Sequence, residues 1–163
     1  YVQIVKGLYE TDKSVPGYLL AGSIYGPSYI SFEYAMSYYG LIPEAVYTVT
    51  SATFEKKKKK RYETPFGTFT YCDVPAEAFP LELILVQEGD YFYRIASPEK
   101  AVCDKLYTMS PTANIKELYA LLADDLRIDM DALKKLDQSK LAQLSGKYHS
   151  TNVKKLCSLI RRL

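Results

Sequence analysis

Glu99, Lys100 and Asp104 are the residues of this 163-residue chain whose types and spacing come nearest to a reactive set. With Asp90 they supply carboxylates and a lysine, the side chains of a metal-dependent nuclease. Such a site takes its carboxylates from adjacent strand ends, whereas Glu99 and Lys100 stand at the start of a predicted helix. Lys100 and Asp104 lie four apart and share one helical face. The reading that fits is a structural ion pair orienting that helix.

Other chemistries find little to work with. His149 is the single histidine, with no Gly-x-Ser-x-Gly nucleophile motif in the chain. No Walker loop or dinucleotide-binding glycine pattern occurs. Cys72, Cys103 and Cys157 are too scattered for a zinc site and read as reduced thiols of a cytoplasmic protein. Asp124, Asp125, Asp129 and Asp131 are dense but miss the spacing and glycine of a calcium loop. No cofactor and no metal are expected, and the chain is not expected to be an enzyme.

The remaining feature is a run of cations, Lys56, Lys57, Lys58, Lys59, Lys60 and Arg61. With a net charge of only +2, any affinity for nucleic acid must come from such local clustering. The run falls between two strand-like stretches, so it is expected at a hairpin tip or an exposed strand edge. There it could bind a phosphate backbone or a partner, with about three side chains facing one way. It could equally be a solvated edge that discourages aggregation. Sixteen tyrosines pose a similar choice. Tyr25, Tyr29, Tyr34, Tyr38 and Tyr39 could stack on bases, but their spacing favours core and interface positions with hydroxyls reaching solvent.

These groups must be held by a fold. Hydrophobic residues make up 48% and charged residues 25%, an ordinary globular composition for one domain. No apolar run approaches the roughly 20 residues of a membrane helix. Residues 28–44 form a helix with marked ends: Ser31 as N-cap, Glu33 in the first turn, Gly40 and Pro43 as stops. Phe32, Tyr34, Ala35, Met36, Tyr38 and Tyr39 make it apolar all round, so it is expected at the centre of the core. A short helix is expected at 17–23. Strands are expected at 1–5, 45–54, 68–74, 81–87 and 91–96, the last two joined by a hairpin at Glu88, Gly89 and Asp90. Ser97 caps a helix with Pro98 at its first position and Glu99 facing its dipole. Asn114 and Glu117 form a capping box, Asp129 and Thr151 are further N-caps, and Gly146 is a stop. Leu118, Leu121, Leu122, Leu141, Leu144, Val153, Leu156, Leu159 and Ile160 would be the buried stripe. The fold class is α+β: a small, mainly antiparallel sheet, a buried helix before it and a helical C-terminal region. The division expected is an α/β part at 10–110 and a helical part at 111–163.

Several strings resemble the AbiEi family, antitoxins of bacterial abortive-infection toxin–antitoxin systems. They are Ser28-Tyr29-Ile30-Ser31 with Ala35, Tyr38, Tyr39, Gly40, Leu41, Ile42, Pro43 and Glu44; Thr64-Pro65 with Gly67, Phe69 and Tyr71; and Ala96-Ser97-Pro98-Glu99-Lys100-Ala101 followed by Asp104. The tail of residues 144–148 and 153–156 follows in order. Cys103 departs from the family's usual apolar residue. Lys6-Gly7-Leu8-Tyr9 resembles the junction where a winged-helix DNA-binding domain ends. The resemblance implies residues 1–9 as a remnant of that wing and 10–163 as the antitoxin C-terminal domain. It further implies promoter DNA of its own operon as a partner of the winged helix, and a nucleotidyltransferase toxin as the target of antagonism. Competing readings are a nuclease-like enzyme and a plain module binding DNA or RNA backbone through the basic run.

Overall fold

The computed structural model describes all 163 residues. At its start β1 (Val2–Val5) and β2 (Leu8–Glu10) pair antiparallel. Gly7 makes their turn at φ +83°, a conformation that favours glycine. A 3₁₀ turn (Gly17–Leu19) and α1 (Ala21–Ile24) follow. A side chain at Gly17 would meet the Phe66 carbonyl oxygen at 2.5 Å, so only glycine lets these two segments approach.

The main sheet has the order β5-β6-β4-β3-β8-β7. Its strands are β3 (Tyr29–Ile30), β4 (Val49–Thr53), β5 (Lys60–Thr64), β6 (Gly67–Asp73), β7 (Leu83–Glu88) and β8 (Tyr91–Ala96). The α+β class holds, and the sheet is mixed: β4 runs parallel to β6 and β3 parallel to β8, with antiparallel pairs elsewhere. Because β6 lies between β4 and β5, residues 54–59 are a crossover rather than the tip of a hairpin, while Lys60 and Arg61 lie on β5 at the sheet edge, the other place expected. The expected hairpin between β7 and β8 is present, with Glu88 opposite Tyr91.

Every residue of β4 is buried although the strand reads Val-Thr-Ser-Ala-Thr. A buried hydroxyl needs a partner. Thr50 donates to the Ser31 carbonyl at 2.5 Å and Thr53 to Asp73 at 2.7 Å. Ser51 is the exception: its buried hydroxyl has no partner.

The helix predicted within 28–44 is shorter than expected. Tyr29 and Ile30 leave it to form β3, and α2 spans Phe32–Tyr38. Phe32, Ala35 and Met36 are buried, but Tyr38 is 55% exposed, so α2 is amphipathic and not the centre of the core. That place belongs to α3 (Pro98–Tyr107), in which Glu99, Lys100, Ala101, Val102, Cys103, Asp104 and Leu106 are all buried. It starts as expected, with the Ser97 hydroxyl accepting from the Lys100 amide at 3.2 Å.

The C-terminal region is helical: α4 (Ile115–Ala120) running into a π turn (Leu121–Asp125), then α5 (Met130–Lys134), α6 (Gln138–Ser145) and α7 (Thr151–Arg162). Asn114 caps α4 and Asp129 caps α5 as anticipated. The cap of α7 is Ser150, one residue before the expected Thr151. Asn152 is buried and ties α7 to the preceding loop, accepting from Thr112 and donating to the Ser110 carbonyl. No helix is long and apolar enough to cross a membrane.

Candidate functional site

The conspicuous polar cluster surrounds Asp104, which has no exposed surface. Its Oδ2 accepts from the Tyr29 hydroxyl at 2.8 Å and from Ser31 Oγ at 2.6 Å. Its Oδ1 accepts from the Tyr148 hydroxyl at 2.5 Å. The Ser31 hydroxyl therefore does not cap α2, the role its position suggested; it is turned toward the aspartate. Burial raises the Asp104 carboxyl above its ordinary range, against the opposing pull of Lys100 and the hydroxyl donors. Burial first, and then the Asp104 charge, raise both tyrosines.

Lys100 is also fully buried. Its Nζ donates to the Ala78 carbonyl and lies 5.1 Å from the centre of the Tyr29 ring. Burial lowers its pKa, with Asp104 opposing. Lys100 and Asp104 share a helix face as predicted, yet they form no direct salt bridge. Each is bound to a different segment instead. Glu99 Oε2 accepts from the Asp137 amide at 3.1 Å, at the start of α6. The sequence-derived set of Ser97, Pro98, Glu99, Lys100 and Asp104 is thus a keystone joining α3 to β3, to the loop before β7 and to the C-terminal helices. Lys100 and Asp104 offer no open face to a substrate, and Asp90 is an exposed hairpin residue outside this cluster.

The basic run divides in two. Lys56 donates to the Gly26 carbonyl at 2.9 Å and lies 4.9 Å from the Tyr25 ring centre. Lys60 lies over the same ring at 6.0 Å. Lys57, Lys58, Lys59 and Arg61 are exposed, with Arg61 near Glu63 at 3.5 Å. The cations thus face different ways, as expected of an extended segment, and two of them cover an aromatic cluster in which Tyr25 packs on Tyr62 and Tyr71.

Beside the run lies a cleft of about 380 Å³. Strand alternation puts Arg61, Thr70 and Thr50, cross-strand neighbours on β5, β6 and β4, on its floor, with Cys72 beside them. Lys59 flanks the floor, and Phe32, Glu33, Lys105 and Thr108 close it from α2 and the end of α3. Lys105 binds Glu33 at 2.8 Å. Sequence reasoning missed Lys105 because its partners sit on other elements, and no local spacing announces them. Burial raises the Cys72 thiol, partly offset by Lys59 and Lys105.

The other candidates have structural places. Asp129 caps α5 by accepting from the Asp131 amide, and no group of His, Cys, Asp and Glu is arranged to hold a metal. His149 is exposed, 3.8 Å from Glu77. The three cysteines are free thiols. Tyr29 is buried, so its hydroxyl does not reach solvent as expected, and the half-buried Tyr39 donates to the Ala96 carbonyl at 2.7 Å. No family of known proteins, no curated protein and no solved structure matches this chain.

Proposed function

We propose that this chain is the toxin-opposing C-terminal domain of an AbiEi-like antitoxin, acting against a nucleotidyltransferase toxin without catalysis of its own. The observation that carries the reading is the convergence of the resembling strings on one carboxylate. Tyr29 and Ser31 belong to the first string, Asp104 to the central one and Tyr148 to the tail; all meet at Asp104. Residues far apart in sequence that share both a pattern and a contact form a structural signature. The reading is supported by the fact that the resembling strings, far apart in sequence, supply the donors to both oxygens of a single buried carboxylate. In the same reading, a winged helix joined ahead of β1 represses the operon's promoter.

The nuclease alternative loses its support from geometry, since Lys100 and Asp104 are inaccessible and already bonded. The test uses bacterial cells carrying an inducible copy of the nucleotidyltransferase encoded beside this chain's gene. Induction should arrest growth, and co-expression of this chain should restore it. Continued arrest with the chain present at normal levels, or the absence of any such neighbouring gene, overturns the reading.

A further inference from the structure

The cleft between β5, β6 and the end of α3 gathers Lys59, Arg61 and Lys105, and the only carboxylate in its walls is Glu33; Lys60 borders it but turns its ammonium to the Tyr25 ring on the other face. Glu33 is already bound to Lys105. Arg61 has only the exposed Glu63 at 3.5 Å, where solvent screens the attraction, and no carboxylate lies within salt-bridge reach of Lys59. Cations from a loop, a strand and a distant helix thus face one cavity with less negative charge than they can neutralise. An anion entering there meets donors from three separate elements. Lys57 and Lys58, from the same run, do not line the cavity. The convergence is therefore a property of the fold and not of the run alone.

The anion can be narrowed by size and by the rest of the lining. At about 380 Å³ the cleft is far larger than an inorganic phosphate and falls in the range of small-ligand sites. Thr70 on the floor has a hydroxyl bound to no protein atom, available to an oxyanion. Phe32 and Cys72 give part of the wall an apolar surface. We infer that this cleft binds a nucleoside di- or triphosphate, its phosphates held by Lys59, Arg61 and Lys105 and its nucleoside against the apolar wall. The inference concerns the cleft alone and goes beyond the antitoxin reading. Toxin rescue and nucleotide binding are separate measurements, and either can fail without the other.

The experiment is calorimetric titration of the whole chain with ATP and CTP, and with pyrophosphate and cytidine as partial ligands. Saturable binding of a nucleotide is expected, with pyrophosphate weaker and cytidine weakest. The Lys59→Ala/Arg61→Ala variant, altered only at exposed positions, should bind about tenfold more weakly or worse, the size of losing charge-assisted hydrogen bonds. The Lys57→Ala/Lys58→Ala variant removes the same charge outside the cleft and should bind within about twofold of the parent. No nucleotide binding, equal loss in both variants, or pyrophosphate binding as tightly as the nucleotide would each overturn the proposal.

Discussion

The hydroxyl of Tyr29 donates to Asp104 at 2.8 Å, while the ring of the same tyrosine lies 5.1 Å from the Lys100 ammonium. One side chain thereby serves two buried charges that do not touch each other. An ammonium over an aromatic face is attracted by the ring's quadrupole, and the phenol hydrogen is drawn to the carboxylate. Removing either charge leaves the tyrosine's other contact in place.

Tyr148→Phe tests how much a single donor to Asp104 contributes. It deletes one hydroxyl and leaves the ring, so the expected loss is about 1.5–3 kcal/mol, the range for hydrogen bonds to charged groups. Asp104→Ala leaves three hydroxyls without their acceptor and should cost at least about 3 kcal/mol. Urea unfolding of both variants measures this, and equal small losses would mean that the cluster is slack.

Lys100 makes a pH-dependent prediction. Burial lowers its pKa below the ordinary 10.5. At a pH below both values the ammonium is present in folded and unfolded chains alike, and its burial weighs against folding. As pH rises through the folded-state value toward 10.5, the folded chain releases its proton first and stability is gained. The stability of the parent minus that of Lys100→Met should therefore climb over this window. A flat or falling difference in urea unfolding would show that the Ala78 carbonyl and the Tyr29 ring favour the charged form.

Within the basic run the cations should not be equivalent. Lys57→Ala/Lys58→Ala should alter stability by less than about 0.5 kcal/mol, as exposed substitutions do. Lys56→Ala loses a hydrogen bond and a position over Tyr25, and should cost about 1 kcal/mol. Thermal or chemical unfolding resolves the difference, and indistinguishable variants would return Lys56 to the solvated set.

The amphipathic character of α2 can be checked in the same way. Met36→Ala removes a side chain that is 1% exposed and should cost about 2–5 kcal/mol by leaving a cavity. Tyr38→Ala should cost under about 1 kcal/mol, because the side chain is 55% exposed and its ring packs edge-on against Tyr39 alone among the aromatic pairs. Matching losses would mean that Tyr38 is held more tightly than its exposure indicates.

Local chemistry was readable from the residues, and long-range pairing was not. Ser97, Asn114 and Asp129 cap the helices they were expected to cap, because a cap depends on residues within one turn. The β7–β8 hairpin was legible for the same reason. The parallel pairs were not, since a crossover is decided by contacts between distant segments. Tyr29 and Ile30 adjoin an apolar helical stretch and locally suit a helix, but β4 and β8 draw them into the sheet. Ser31 occupies the cap position with extended backbone, as its sequence context suggests, while a buried carboxylate from a distant helix claims its hydroxyl. Lys105 and Tyr148 complete their clusters from other elements, and no spacing rule links them to Glu33 or Asp104.

The bonds from α3 also govern how the molecule comes apart. Glu99 holds the start of α6, Lys100 the loop at Ala78, and Asp104 both β3 and Tyr148 ahead of α7. Detaching any one of these segments strips a buried charge of its partner, so partial opening carries much of the free energy of complete opening. Amide hydrogens of β3 and of the buried face of α7 should then exchange with deuterium at a common protection level. A protease that nicks the exposed loop around Ser110 should leave two fragments that remain associated until the whole fold melts.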